Sequence, residues 1–122
     1  MRKNKITQKQ AIFYLLLKSR KENPLHFIPV FRFMGEVFVE ELGKWGFVSH
    51  ECSARASELA KENPNLIEST KISGKSGAKY YAYRFRETAN ASCIEDPALR
   101  EFYRNIKRVS APPVDNSACV AN

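Results

Sequence analysis

Seven apolar residues in a row, Ala11 to Leu17, follow the polar stretch Thr7-Gln8-Lys9-Gln10. By periodicity alone such a run fits a buried strand as well as a buried helix. The residues before it decide. Thr7 and Gln10 stand at T-x-x-Q spacing, a capping box in which each side chain satisfies the other's backbone N–H, and Ile6 is placed to staple onto Ala11. Helix-compatible residues continue to Glu22, and Asn23-Pro24 stops them. A helix is therefore predicted over 7–22. Ile12, Leu15, Leu16 and Ser19 share one face, and Phe13 and Leu17 widen it, as in a central helix covered on more than one side.

Residues 25–33 are aromatic but interrupted by Pro29, which cannot donate to a ladder, so they form at most a short edge strand or a turn. From Gly35 onward Val37, Phe38, Glu41 and Leu42 recur at helical spacing. They predict a second helix, ended by Gly43 and Gly46. Ser49 is a suitable N-cap for a third helix reaching to Glu62, and Asn63-Pro64-Asn65 ends it. Ile67 to Ile72 and Tyr80 to Phe85 read as strands, with Ser73-Gly74-Lys75-Ser76-Gly77 as the hairpin tip between them. Asp96-Pro97 supplies an N-cap followed by proline at the first helical position. Leu99, Phe102, Tyr103 and Ile106 then fall on one helical face. The organisation expected is a basic arm over 1–5, a domain over 6–87, a linker and C-terminal helix over 88–109, and a disordered tail over 110–122.

Charge adds a direction to this outline. The chain of 122 residues carries a net charge of +7. Residues 1–22 hold seven basic groups against one acidic, and residues 64–87 hold five against two. Two basic segments flanking a near-neutral middle are the footprint expected of a protein that meets a polyanion. No apolar run approaches the roughly 18 residues of a membrane span, and the start lacks a signal-peptide cleavage pattern, so a cytoplasmic protein is expected. Cys52, Cys93 and Cys119 show no metal-binding spacing, and with His26 and His50 they make no recognisable zinc site. No serine–histidine–acid set or paired carboxylates have a plausible context, so neither an enzyme, a cofactor nor a small-molecule substrate is expected.

The helix over 49–62 carries the most suggestive chemistry. At 100° per residue Cys52, Ala56 and Leu59 lie on one side, while His50, Ala54, Ser57 and Lys61 lie opposite, with Ser53 at the margin. Small residues for close approach, together with hydroxyl and basic donors, suit a helix that enters the major groove. Glu51, Glu58 and Glu62 on the same helix oppose that role, and Arg55 is best read as an ion-pair partner of Glu51 or Glu58. The following hairpin repeats lysine every four residues, at Lys71, Lys75 and Lys79, beside glycines that let a backbone approach phosphate. Tyr80, Tyr81 and Tyr83 are candidates for base stacking, but strand alternation assigns Tyr81 and Tyr83 to the core face.

Gly35 through Phe85 resembles the winged helix-turn-helix domains common in small phage and prophage proteins. The resemblance rests on Ala54-Arg55-Ala56-Ser57-Glu58-Leu59 in the helix and Tyr83-Arg84-Phe85 in the closing strand, and it covers about half the chain. It implies an α+β fold with a three-helix core and a two- or three-stranded wing, to which this chain adds the Phe27–Phe33 segment and an appended C-terminal helix. It also implies duplex DNA binding, in a small repressor, activator or accessory factor. His50, Ser53, Ala54, Ser57 and Lys61 are expected to face the groove, and Lys71, Lys75 and Lys79 the backbone. The alternative is the same fold used as a protein-interaction adaptor. For the last helix two roles are open. Leu99, Phe102, Tyr103 and Ile106 either contact a second copy in a homodimer, the preferred reading, or fold back over the Phe27–Phe33 segment.

Overall fold

A computed structural model describes residues 5–50, 52–74 and 76–110, the side chains of 108–110 excepted. Helix α1 (Gln8–Glu22) opens with the expected capping box: the Gln10 N–H donates to the Thr7 hydroxyl and the Thr7 N–H donates to the Gln10 side chain. Ala11, Ile12, Phe13, Tyr14 and Leu16 are buried on it. Consecutive buried residues mean that several sides of the helix are covered, and α1 is the hub of the core.

Next come the two-residue strand β1 (Ile28–Pro29) and a 3-10 turn over Val30–Phe33. Pro29 sits on the sheet edge, where its missing donor costs nothing. The second predicted helix does not form. Strands β2 (Gly35–Val39) and β3 (Lys44–Val48) make an antiparallel hairpin instead, with Val37 facing Gly46 and Phe38 facing Trp45. Val37, Val39 and Val48 point into the core, while Glu36, Phe38, Trp45 and Phe47 alternate outward. Phenylalanine and tryptophan at outward positions erase the apolar–polar alternation that identifies a strand, so the segment imitates a helix in sequence. The two glycines also act differently from a helix stop. Gly43 takes φ +63° in the turn, and Gly46 lets β3 lie against α1, where a Cβ would come within 2.5 Å of Ile6 Cγ1.

Helix α2 (Cys52–Glu62) follows, burying Cys52, Ala56 and Leu59 as the spacing requires. The Ser49 N–H and hydroxyl both meet the Gln8 side-chain oxygen at 3.4 Å. Strands β4 (Ile67–Ser73) and β5 (Lys79–Phe85) form the expected hairpin, and β1 completes a three-stranded sheet in the order β1-β5-β4.

Helix α3 (Pro97–Ser110) starts from Asp96, whose carboxylate accepts the Ala98 N–H at 3.0 Å. Leu99, Phe102 and Ile106 are buried in the same core as α1, and Phe13 meets Phe102 and Tyr103 edge-on. The expectation that this face contacts a second copy is corrected: three of its four residues are already covered by this chain, and Tyr103 packs partly buried against the core. The helix does fold back, but onto α1 rather than over Phe27–Phe33. Phe27 and Phe31 lie instead beside the other face of β5, where Phe31 packs on Tyr80 and the Arg84 guanidinium lies over Phe27, while Phe33 is buried in the core against Tyr83. Among the described residues the architecture is α+β, three α-helices around one core with two small antiparallel sheets.

One buried polar group ties these parts together. Asn63, fully buried at the end of α2, donates its side-chain amide to the Leu59 carbonyl at 3.0 Å. Its side-chain oxygen accepts the N–H groups of Glu95 and Asp96, at 2.7 and 3.1 Å, just ahead of α3.

Candidate functional site

The outward face of α2 looks across an open groove of about 870 Å³ to the β4–β5 sheet. One wall is Ser53, Ala54, Ser57, Ala60 and Lys61; the other includes Ser69, Tyr81, Tyr83 and Arg86. Four of the eight residues expected to meet nucleic acid, Ser53, Ala54, Ser57 and Lys61, therefore share one wall. Lys71 is the register partner of Tyr81, and its ammonium lies 5.5 Å from the Tyr81 ring centre. His50 is exposed ahead of α2 but does not line the groove, and Lys79 is exposed at the far end of β5. Lys75 lies outside the described residues, as do the basic arm through residue 4 and the tail from residue 111.

Tyr81 was expected in the core and is instead about half exposed, whereas Tyr83, two residues on, is buried. The inner face of the hairpin runs past the end of the core, so one strand face is dry at Tyr83 and wet at Tyr81. Burial raises the Tyr83 phenol pKa above its ordinary value, with smaller contributions from Tyr81 and Cys52. Arg86 was not anticipated either. Its Nε donates to the Pro64 carbonyl at 2.8 Å, which holds the guanidinium at the groove's edge. The in-register pairing of Lys71 with Tyr81 is the signal by which Tyr81 becomes recognisable, since opposite residues in an antiparallel pair share a face.

The acidic residues of α2 turn away from this groove. Lys9 on α1 reaches Glu62 at 3.0 Å and Glu58 at 3.4 Å, and Arg55 bonds Glu58 at 2.9 Å. Glu62 is the main reason that the Lys9 pKa lies above the ordinary lysine value. Glu68, on the sheet side, is held between Arg84 at 2.7 Å and Arg86 at 3.5 Å. Each of these carboxylates has a cation against it. Lys61 has no ion-pair partner among the described residues and stands at the mouth of the groove.

The Cys52 thiol donates to the Val30 carbonyl at 3.5 Å, and burial pushes its pKa up, the opposite of an activated nucleophile. Among the described residues no cluster of histidine, cysteine, aspartate and glutamate side chains is arranged to hold a metal ion. No helix among them is long and apolar enough to cross a membrane.

The fold and groove define a small α+β protein with a polar, cation-edged cleft between a helix and a hairpin. No protein-family model, curated protein or solved structure matches the chain.

Proposed function

We propose that this chain is a non-enzymatic, cytoplasmic DNA-binding protein that holds duplex DNA between α2 and the β4–β5 hairpin, as a small transcriptional regulator or accessory factor of phage type. The observation that carries the reading is the sorting of charge around α2. Glu58 and Glu62 are drawn toward Lys9, and Glu68 is clamped by two arginines, while Ser53, Ala54, Ser57 and Lys61 face the open groove. A negatively charged backbone then meets hydroxyls, small side chains and cations, and the one carboxylate among the residues lining the groove, Glu68, is already paired with Arg84 and Arg86. Lys71, Arg86 and Lys79 extend the cationic rim along the hairpin. The order α1, β1, α2, hairpin supports a winged-helix reading, with the β2–β3 hairpin standing where the first helix of a helix-turn-helix pair was expected.

Anisotropy titrations of a labelled duplex at two salt concentrations test this. Neutralised phosphates require log K to fall with log salt at about −0.9 per contact. Lys61→Ala with Lys71→Ala is expected to flatten the slope by roughly two contacts. Ser57→Glu places a carboxylate in the groove wall and is expected to abolish binding with the far-ultraviolet spectrum unchanged. Undiminished duplex affinity in a folded Ser57→Glu protein refutes the groove as the binding surface.

A further inference from the structure

The outer face of the β2–β3 hairpin has an unusual composition for a surface. Phe38, Trp45 and Phe47 are 40%, 50% and 53% exposed, and the Phe38 and Trp45 rings touch at a centroid separation of 4.6 Å. Rings of this size expose together about 300 Å² on one small sheet, the scale at which a contiguous apolar patch marks an interaction site. Nothing in the core requires aromatics there, because Val37, Val39 and Val48 already supply the inward contacts.

The charges around the patch are arranged in a way that a second copy satisfies. Cα register places Glu36 beside Phe47 in one row of the face and Phe38 beside Trp45 in the next. Lys5 pairs with Trp45 across the outer edge of β3, which extends that second row. An exposed acid thus sits at one corner of the aromatic face and an exposed base at the diagonally opposite corner. A two-fold axis along the other diagonal exchanges those corners. It lays Glu36 of each copy over Lys5 of its mate while the rings stack between them.

We propose that this face closes a homodimer, with two hairpins packed face to face about that axis. The proposal does not rest on the nucleic-acid reading. With Glu36, Lys5 and the neighbouring exposed Met34 included, such a contact buries on the order of 1,000 Å² in total, the lower end for a specific interface. A reversible dimer in the micromolar range follows. Two-fold packing is isologous, so one patch suffices and no further partner surface is needed. Helix α3 is not required for it, since Leu99, Phe102 and Ile106 are spent within each chain.

Trp45 is the single tryptophan of the chain and reports on its own burial. Sedimentation of the full chain from about 1 to 200 μM is expected to show the mass doubling. The Trp45 emission is expected to shift to the blue with the same midpoint. Phe47→Lys changes only an outward side chain and is expected to leave a folded monomer throughout. Glu36→Lys and Lys5→Glu are each expected to weaken the dimer by roughly threefold to thirtyfold, and the double swap to recover most of that loss. A chain that stays monomeric at about 200 μM overturns the proposal. So does a dimer that Phe47→Lys leaves equally strong, or a double swap no stronger than its single variants.

Discussion

Replacing Asn63 with alanine removes three hydrogen bonds made by a side chain that is itself fully buried. The side-chain amide no longer donates to Leu59, whose carbonyl keeps its bond from the Asn63 backbone at 3.1 Å. The damage falls instead on the N–H groups of Glu95 and Asp96, which lose the oxygen they share. An orphaned buried donor costs about 1–3 kcal/mol, and water reaches the exposed Glu95 more readily than Asp96, so roughly 3 kcal/mol is expected for the pair and the small cavity together. That is a large part of the 5–15 kcal/mol typical of a domain's stability. It corresponds to a fall in Tm of about 10–20 °C. Urea denaturation followed by circular dichroism gives the free energy directly, with exposed Asn65→Ala as the control, expected within about 0.5 kcal/mol of the parent. If Asn63→Ala also lies within about 0.5 kcal/mol, the amide does not tie α2 to α3 and the reasoning fails.

Gly46→Ala drives a Cβ to 2.5 Å from buried Ile6 and is expected to cost about 1–3 kcal/mol by chemical denaturation. Gly43→Ala, at φ +63° with open space around it, is expected to cost about 1 kcal/mol of backbone strain alone. Lys9→Met is expected to lower stability at neutral pH by about 0.2–1 kcal/mol and also to weaken duplex binding, because Glu58 and Glu62 lose their counter-ion. Folded Lys9 holds its proton more tightly than the unfolded chain does, so its contribution is complete below the ordinary lysine pKa of about 10.4 and fades as pH rises through the higher folded value. Denaturation at neutral and strongly alkaline pH is therefore expected to show the variant and parent converging. Truncation after Glu95 strips Leu99, Phe102 and Ile106 from the core at about 1.5–3 kcal/mol apiece, and the product is expected to be unfolded by circular dichroism. A cooperatively folded truncation product contradicts the place assigned to α3.

Elements whose signals are local were legible in the sequence. Thr7 and Gln10 announce α1 because the cap is made by residues three apart, and Asp96-Pro97 announces α3 for the same reason. The β4–β5 hairpin follows from strands flanking a glycine-bearing tip. The β2–β3 hairpin was not legible, because Phe38, Trp45 and Phe47 occupy positions where a lone domain would carry polar residues. The groove was half legible. Helical spacing collects Ser53, Ala54, Ser57 and Lys61, but the removal of Glu58 and Glu62 from that side depends on Lys9, some fifty positions earlier. Asn63 looked only like a helix stop, since its partners come together through the fold and not through the chain.

The position of α1 at the hub has a consequence for how the protein is made. Its neighbours include β5 and α3, so part of the surface that covers Phe13 is synthesised some sixty to ninety residues after it. At roughly 5–20 residues per second, the helix leaves the ribosome about 5–20 s before Ile106 is available. Through that interval β2, β3 and α2 can cover other parts of the helix, but the side of Phe13 that meets Phe85 and Phe102 has no native partner. An apolar side left open in this way is the kind of surface that a holding chaperone would cover, and on α1 it closes only once β5 and α3 have been made.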